Sequence, residues 1–178
     1  IADIINFKDA KEFLKLSGYE DKFKSNNDFM KNTNASDSEK VFNKLKTLVG
    51  DWEGKTALDK TVKVSYELIA NNTVLTENWD MGNSRTSMTV YHLDNKNLIA
   101  THYCPWGNQP RLELVSVNDE QNFSFVFVSA TNLPDKNLTH QHQFAIRIES
   151  SDRFWRSETY LTEGKLESEA ITYLRLRV

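Results

Sequence analysis

Residues 61–80 read TVKVSYELIANNTVLTENWD, two alternating runs on either side of Asn71 and Asn72. Val, Ile, Thr, Tyr and Trp are enriched in both runs, and a period of two sends successive side chains to opposite faces of a strand. An asparagine pair between such runs marks a hairpin, because asparagine tolerates the left-handed backbone a tight turn needs. Folding the stretch about that pair sets Leu68 opposite Leu75, Tyr66 opposite Glu77 and Val64 opposite Trp79. All six lie on the more apolar face, so a carboxylate is expected inside.

The same grammar continues to the C-terminus. ANNT, LDNKNL, VNDEQN, NLPDKN, ESSDRF and TEGK are turn signals, and they separate strands expected near 50–57, 62–70, 73–80, 86–93, 97–104, 111–117, 122–129, 138–149, 153–161 and 166–177. Short connections force antiparallel neighbours, and closing so many strands on themselves removes both exposed edges. The expected fold is all-β: an up-and-down antiparallel barrel of about ten strands with an N-terminal helical segment.

Ahead of the strands, SDSEKVFNKLKTLVG carries a capping-box pattern at Ser36 and Glu39, a shared face of Val41, Phe42, Leu45 and Leu48, and a stop at Gly50. This predicts a helix over 36–48, set against one end of the barrel. NFKDAKEFLKLSG predicts a shorter helix after Asn6, and residues 19–35 lack a sustained period. The expected division is an arm or linker over 1–35 and a barrel domain over 36–178.

A chain of 178 residues with one cysteine has no internal disulfide and no cysteine-based zinc cluster. A net charge of −3, with basic residues spread singly, gives no electrostatic reason to bind nucleic acid. No apolar run is long enough to span a membrane as a helix. The chain begins at Ile1 rather than methionine, and a periplasmic or secreted location is favoured over a cytoplasmic one.

The densest group of reactive side chains is THYCPWGNQPRLEL, residues 101–114. Pairing 86–93 with 97–104 sets Thr89 opposite His102 and Tyr91 opposite Ala100, with Leu93, Leu98, His102 and Cys104 on the face favoured as inward over the nearly as apolar face of Met88, Val90, His92, Ile99 and Tyr103. Cys104 reads as packing rather than as a nucleophile, and the face of Arg111 depends on one residue of register. Folding 138–161 about SSDR sets His142, Phe144, Ile146 and Ile148 with Trp155, Ser157, Thr159 and Leu161. That face continues to Leu166, Ser168, Ala170, Thr172, Leu174 and Leu176. Its small, hydroxylic middle implies ligand-sized space inside a barrel of this size.

LVGDWEG after a capped helix, VLTENW, MTVYHLD leading to THYC..GNQPR, ATNL, HQHQF and AITYLRLRV together resemble the nitrobindin-like and calycin-like β-barrel group of bacterial proteins, over residues 36–178. The resemblance implies a lipocalin-like barrel that holds a small, mostly apolar or amphipathic molecule. In nitrobindins the last strand supplies a histidine to ferric haem. The matching position here is Ala170, which cannot ligate iron, so no cofactor is expected.

The ligand-binding residues expected from these readings are Tyr66, Glu77, His102, Cys104, Asn108, Arg111, His142 and Trp155, with Glu77, His102 and His142 converging at the polar end. Two alternatives stand beside this one. A purely structural network would satisfy the same buried polar groups, and an enzyme would use Glu77 with a histidine as an acid–base pair. His140 and His142, two residues apart, could share a metal with Glu77, but no metal is expected.

Overall fold

The computed structural model describes residues 35–118 and 121–177. The helix expected after Asn6 and nearly all of the arm lie outside them. Helix α1 (Ala35–Leu45) runs into a 3-10 turn at Lys46–Leu48 and then into ten strands. These are β1 (Gly50–Lys55), β2 (Thr61–Ile69), β3 (Val74–Asp80), β4 (Thr86–Asp94), β5 (Asn97–Tyr103), β6 (Gln109–Asn118), β7 (Asn122–Thr131), β8 (His140–Ser150), β9 (Arg153–Thr162) and β10 (Lys165–Arg175). Each pairs antiparallel with the next, and β1 pairs with β10 to close a barrel.

The β2–β3 hairpin has the register its alternation requires: Leu68 faces Leu75, Tyr66 faces Glu77 and Val64 faces Trp79. Ala70, Asn71 and Asn72 all take positive φ in the turn between them. The β4–β5 hairpin likewise pairs Thr89 with His102 and Tyr91 with Ala100.

The connections divide the barrel into two ends. The hairpins β2–β3, β4–β5, β6–β7 and β8–β9 turn at one end, where β1 also starts and β10 finishes. There α1 packs against β4, β5 and β6, and Val41, Phe42, Leu45 and Leu48 join a buried core with Trp52, Leu98 and Phe154. Two ties hold the helix in place. The Trp52 indole N–H donates to Leu48 O at 2.7 Å, and the Arg175 guanidinium, stacked over Trp52, donates to the carbonyls of Thr47, Val49 and Ser151. The Thr47 and Val49 carbonyls lie at the end of the helical segment, where backbone acceptors lack intrahelical partners, and Ser151 O ties the same guanidinium to the β8–β9 turn. The opposite end carries the loops at 56–60, 81–85, 104–108, 132–139 and 163–164.

Closure of the barrel rests on three residue pairs, Trp52–Arg175, Glu53–Leu174 and Gly54–Tyr173. At Gly54 a Cβ would stand 2.6 Å from the Ile171 side chain and 2.8 Å from Thr172 O. A backbone carbonyl cannot yield as a flexible side chain does. Gly54→Ala is therefore expected to cost about 1–3 kcal/mol by overpacking and to loosen the seam. Urea unfolding, with amide exchange of Tyr173 as the local readout, measures both; a loss below ~0.5 kcal/mol would show that the seam tolerates a side chain.

One expectation fails in the second half of the barrel. A β-bulge between Ile148 and Ser150 shifts the β8–β9 register by one residue. Phe154, Arg156, Glu158 and Tyr160 consequently face Ile148, Ile146, Phe144 and Gln141. Since side chains alternate, a one-residue slip exchanges the faces of a whole strand. Trp155, Ser157, Thr159 and Leu161 fall on the outer face. Through the β9–β10 pairing so do Ser168, Ala170, Thr172 and Leu174, leaving Glu169, Ile171 and Tyr173 inside.

Candidate functional site

The inner wall of β2 to β5 carries one cross-strand row, Tyr66–Glu77–Thr89–His102, with Tyr91 one step from it along β4. Glu77 is fully buried, so its charge needs a partner. The partner is Arg156 on β9, a residue not anticipated from the sequence. Its Nη1 lies 3.0 Å from Glu77 Oε1 and donates to Glu77 Oε2 at 3.2 Å and to Tyr91 OH at 3.0 Å. Its Nε donates to Glu158 Oε1 at 3.0 Å. The Tyr91 hydroxyl also donates to Glu77. The guanidinium lies 4.2 Å from the Phe144 ring centroid and 5.2 Å from that of Trp79, so it is walled by aromatic faces as well as carboxylates.

Protonation follows from burial and neighbours. Burial pushes the Glu77 carboxyl up to about 7, against the lowering pull of Arg156 and the Tyr91 hydrogen bond. The Trp79 indole N–H also favours the ionised form, without reaching hydrogen-bond geometry. Burial works against the Arg156 charge, but Glu77, Tyr91 and Glu158 more than offset it, so Arg156 remains a cation. The core therefore holds one fixed positive charge and, at Glu77, a carboxyl poised to gain or lose its proton near neutrality.

His102 belongs to a second, adjoining network. Its Nδ1 is 3.1 Å from Thr89 Oγ1 and its Nε2 is 3.3 Å from Tyr160 OH. Burial lowers its pKa to about 4, so the ring is neutral at pH 7, and one donor and one acceptor nitrogen suit the two hydroxyls. Glu77 and His102 thus have different partners, and the carboxylate–histidine pair anticipated for acid–base chemistry is not formed.

The remaining expected residues are dispersed. Tyr66 is buried on the inner wall, its hydroxyl without a hydrogen-bond partner. Cys104 is buried at the loop end, where burial raises its thiol pKa. The turn that follows it closes through Gly107 N–H to Cys104 O, and Asn108 in that turn donates to Thr139 O at 2.8 Å, tying two loops together. Arg111 faces outward, bound to Asp94 at 2.9 Å, because its neighbour Leu112 takes the inner face. Trp155 is on the outer face beneath Arg147. His142 does not converge with Glu77 and His102. It occupies a second β8 bulge, between Gln141 and Gln143, and lies against Phe127 and His140.

No family model and no curated protein matches the chain. Among solved structures, the protein Rv2717c from M. tuberculosis superposes with a TM-score of 0.51 at 16% identity, covering 77% of this chain and 98% of its own. A protein of unknown function from the DUF3598 family of Nostoc punctiforme gives a TM-score of 0.40 at 14% identity, covering 74% of this chain and 48% of its own. The likeness to Rv2717c is one of fold: a closed up-and-down antiparallel barrel. No helix among the described residues is long and apolar enough to cross a membrane.

Proposed function

We propose that this barrel is a carrier or sensor of a small amphipathic molecule, taken up through the loop end with its polar oxygen directed at the Arg156 centre. One observation carries the reading. Three buried donors of the inner wall, Tyr66 OH, Trp79 Nε1 and Arg156 Nη2, make no hydrogen bond among the described residues, more than Glu77 Oε1, the open acceptor beside Arg156, can satisfy. Buried donors are almost always paired, and their concentration around one guanidinium is a demand for an acceptor. The aromatic surroundings of Phe144, Phe154 and Tyr173 suit an apolar remainder.

Trp79 reports on the site. Titration with a series of medium-chain ketones, alcohols and carboxylic acids, read by tryptophan fluorescence, is expected to give a saturable change that Trp79→Phe removes. Native mass spectrometry of the purified chain then identifies any molecule that accompanies it. A series in which no compound saturates would overturn the proposal.

We also infer that haem is not held at this wall, because Ala170, the position matching the histidine of the nitrobindins the sequence resembles, lies on the outer face with Glu169 and Ile171 as its inward neighbours. Haemin added to the protein and then desalted is expected to leave no stoichiometric Soret band. A histidine-ligated spectrum would contradict this.

A further inference from the structure

At the loop end β7 and β8 part company beyond the Val126–Gln143 pair. Phe127, His140 and His142 gather there, with the Phe127 ring 4.5 Å from His140 and 6.1 Å from His142, centroid to centroid. His140 is 1% exposed, and its Nδ1 lies 2.7 Å from Leu138 O. A carbonyl only accepts, so Nδ1 carries the hydrogen and the neutral ring keeps its lone pair at Nε2. That Nε2 is buried without a partner, and so is Nδ1 of His142.

We propose that His140 Nε2 and His142 Nδ1 form a binding site for a late first-row divalent cation: Cu2+, Zn2+ or Ni2+. The site is independent of the Arg156 centre and faces the loop end of the barrel. The two ring centroids are 5.7 Å apart with their planes at 65°. Two imidazoles on one tetrahedral ion, with metal–nitrogen bonds of about 2.0–2.1 Å, place their centroids about 5–5.5 Å apart, close to the spacing of these two rings. The bulge at His142 removes it from strict alternation and brings it to the gap that His140 borders.

Two surrounding features favour a metal over a lone water. A ligating histidine characteristically donates its other ring N–H to a carbonyl or carboxylate, as His140 does to Leu138 O. Asn108 is bound to Thr139, the residue before His140, and its Oδ1 is a further buried acceptor without a donor. Nitrogen and neutral oxygen donors with no carboxylate select borderline cations over Mg2+ and Ca2+.

The test is isothermal calorimetry on the untagged chain with Cu2+, Zn2+, Ni2+ and Mg2+. All four histidines of the sequence lie among the described residues, so the controls are complete. One ion per chain is expected, tightest for Cu2+, with no heat from Mg2+. His142→Gln, at a half-buried position, is expected to keep the fold and weaken Cu2+ binding by at least about tenfold, and His92→Gln to leave it unchanged. Electron paramagnetic resonance of the Cu2+ form should show nitrogen hyperfine structure that simplifies in His142→Gln. Uptake that survives in His140→Gln/His142→Gln, or no saturable uptake by the native chain, overturns the site.

Discussion

Arg156→Met is expected to destabilise the barrel by about 3–5 kcal/mol at pH 8, the cost of leaving one member of a buried ion pair without its counter-charge. Arg156 is 2% exposed, and it supplies the guanidinium contacts of both Glu77 and Glu158. Methionine fills much of the space between Phe144 and Trp79 but offers Glu77 no proton donor. The carboxyl of Glu77, already raised to about 7 beside Arg156, would rise further in the variant. It would then escape by protonation, so the loss at pH 5 should be smaller than at pH 8. The double variant Glu77→Gln/Arg156→Met removes both charges and is expected to recover most of the stability. Chemical unfolding at the two pH values decides the matter. A loss below ~1 kcal/mol at pH 8 would show that the pair is hydrated rather than sealed in the core.

The failure to anticipate Arg156 has a local cause. In the β2–β3 and β4–β5 hairpins, alternation and the asparagine-bearing turns act together, and Tyr66, Glu77, Thr89 and His102 fall on the inner wall as their spacing requires. In β8 and β9 the outer face is itself well covered: Trp155 and Thr159 are 6% and 5% exposed. When both faces carry apolar or buried side chains, alternation no longer identifies the inside, and the turn alone must set the register. The strand entering that turn carries a bulge between Ile148 and Ser150 that ESSDRF does not announce. A signal was nonetheless present. An inward Glu77 demands a cation, and the RFWRSE segment offers an arginine whose strand faces it once the register is moved by one. The bulge at His142, between Gln141 and Gln143, is hidden for the same reason, so alternation points His142 at Glu77 whereas it lies against Phe127.

The two interior networks also make opposite demands on pH, and this gives the second large effect. Glu77 titrates at about 7 in the fold against an ordinary 4.5, facing Arg156, Tyr91, Tyr66 and Glu158. A raised pKa means that the native state binds the proton more tightly. Its contribution is fully present below pH 4.5 and is lost as the pH rises through about 7, on the order of 3 kcal/mol in all. His102, faced by Thr89, Tyr160, Glu158 and Arg156, is displaced the other way, from 6.5 to about 4. Its contribution is present above pH 6.5 and is lost as the pH falls through about 4, again on the order of 3 kcal/mol. Between pH 4.5 and 6.5 the two slopes oppose each other, and the native protein should be nearly indifferent to pH from these groups. Each substitution exposes the other slope. Relative to the native chain, Glu77→Gln should gain about 3 kcal/mol as the pH rises from 4.5 to 7.5, whereas His102→Asn should gain a similar amount as it falls from 6.5 to 4. Comparing urea unfolding of each variant with the native chain at every pH cancels groups common to both, such as Glu149 and Glu169. Parallel stability curves for the native chain and Glu77→Gln would mean that Glu77 titrates at its ordinary value, with its burial relieved by water.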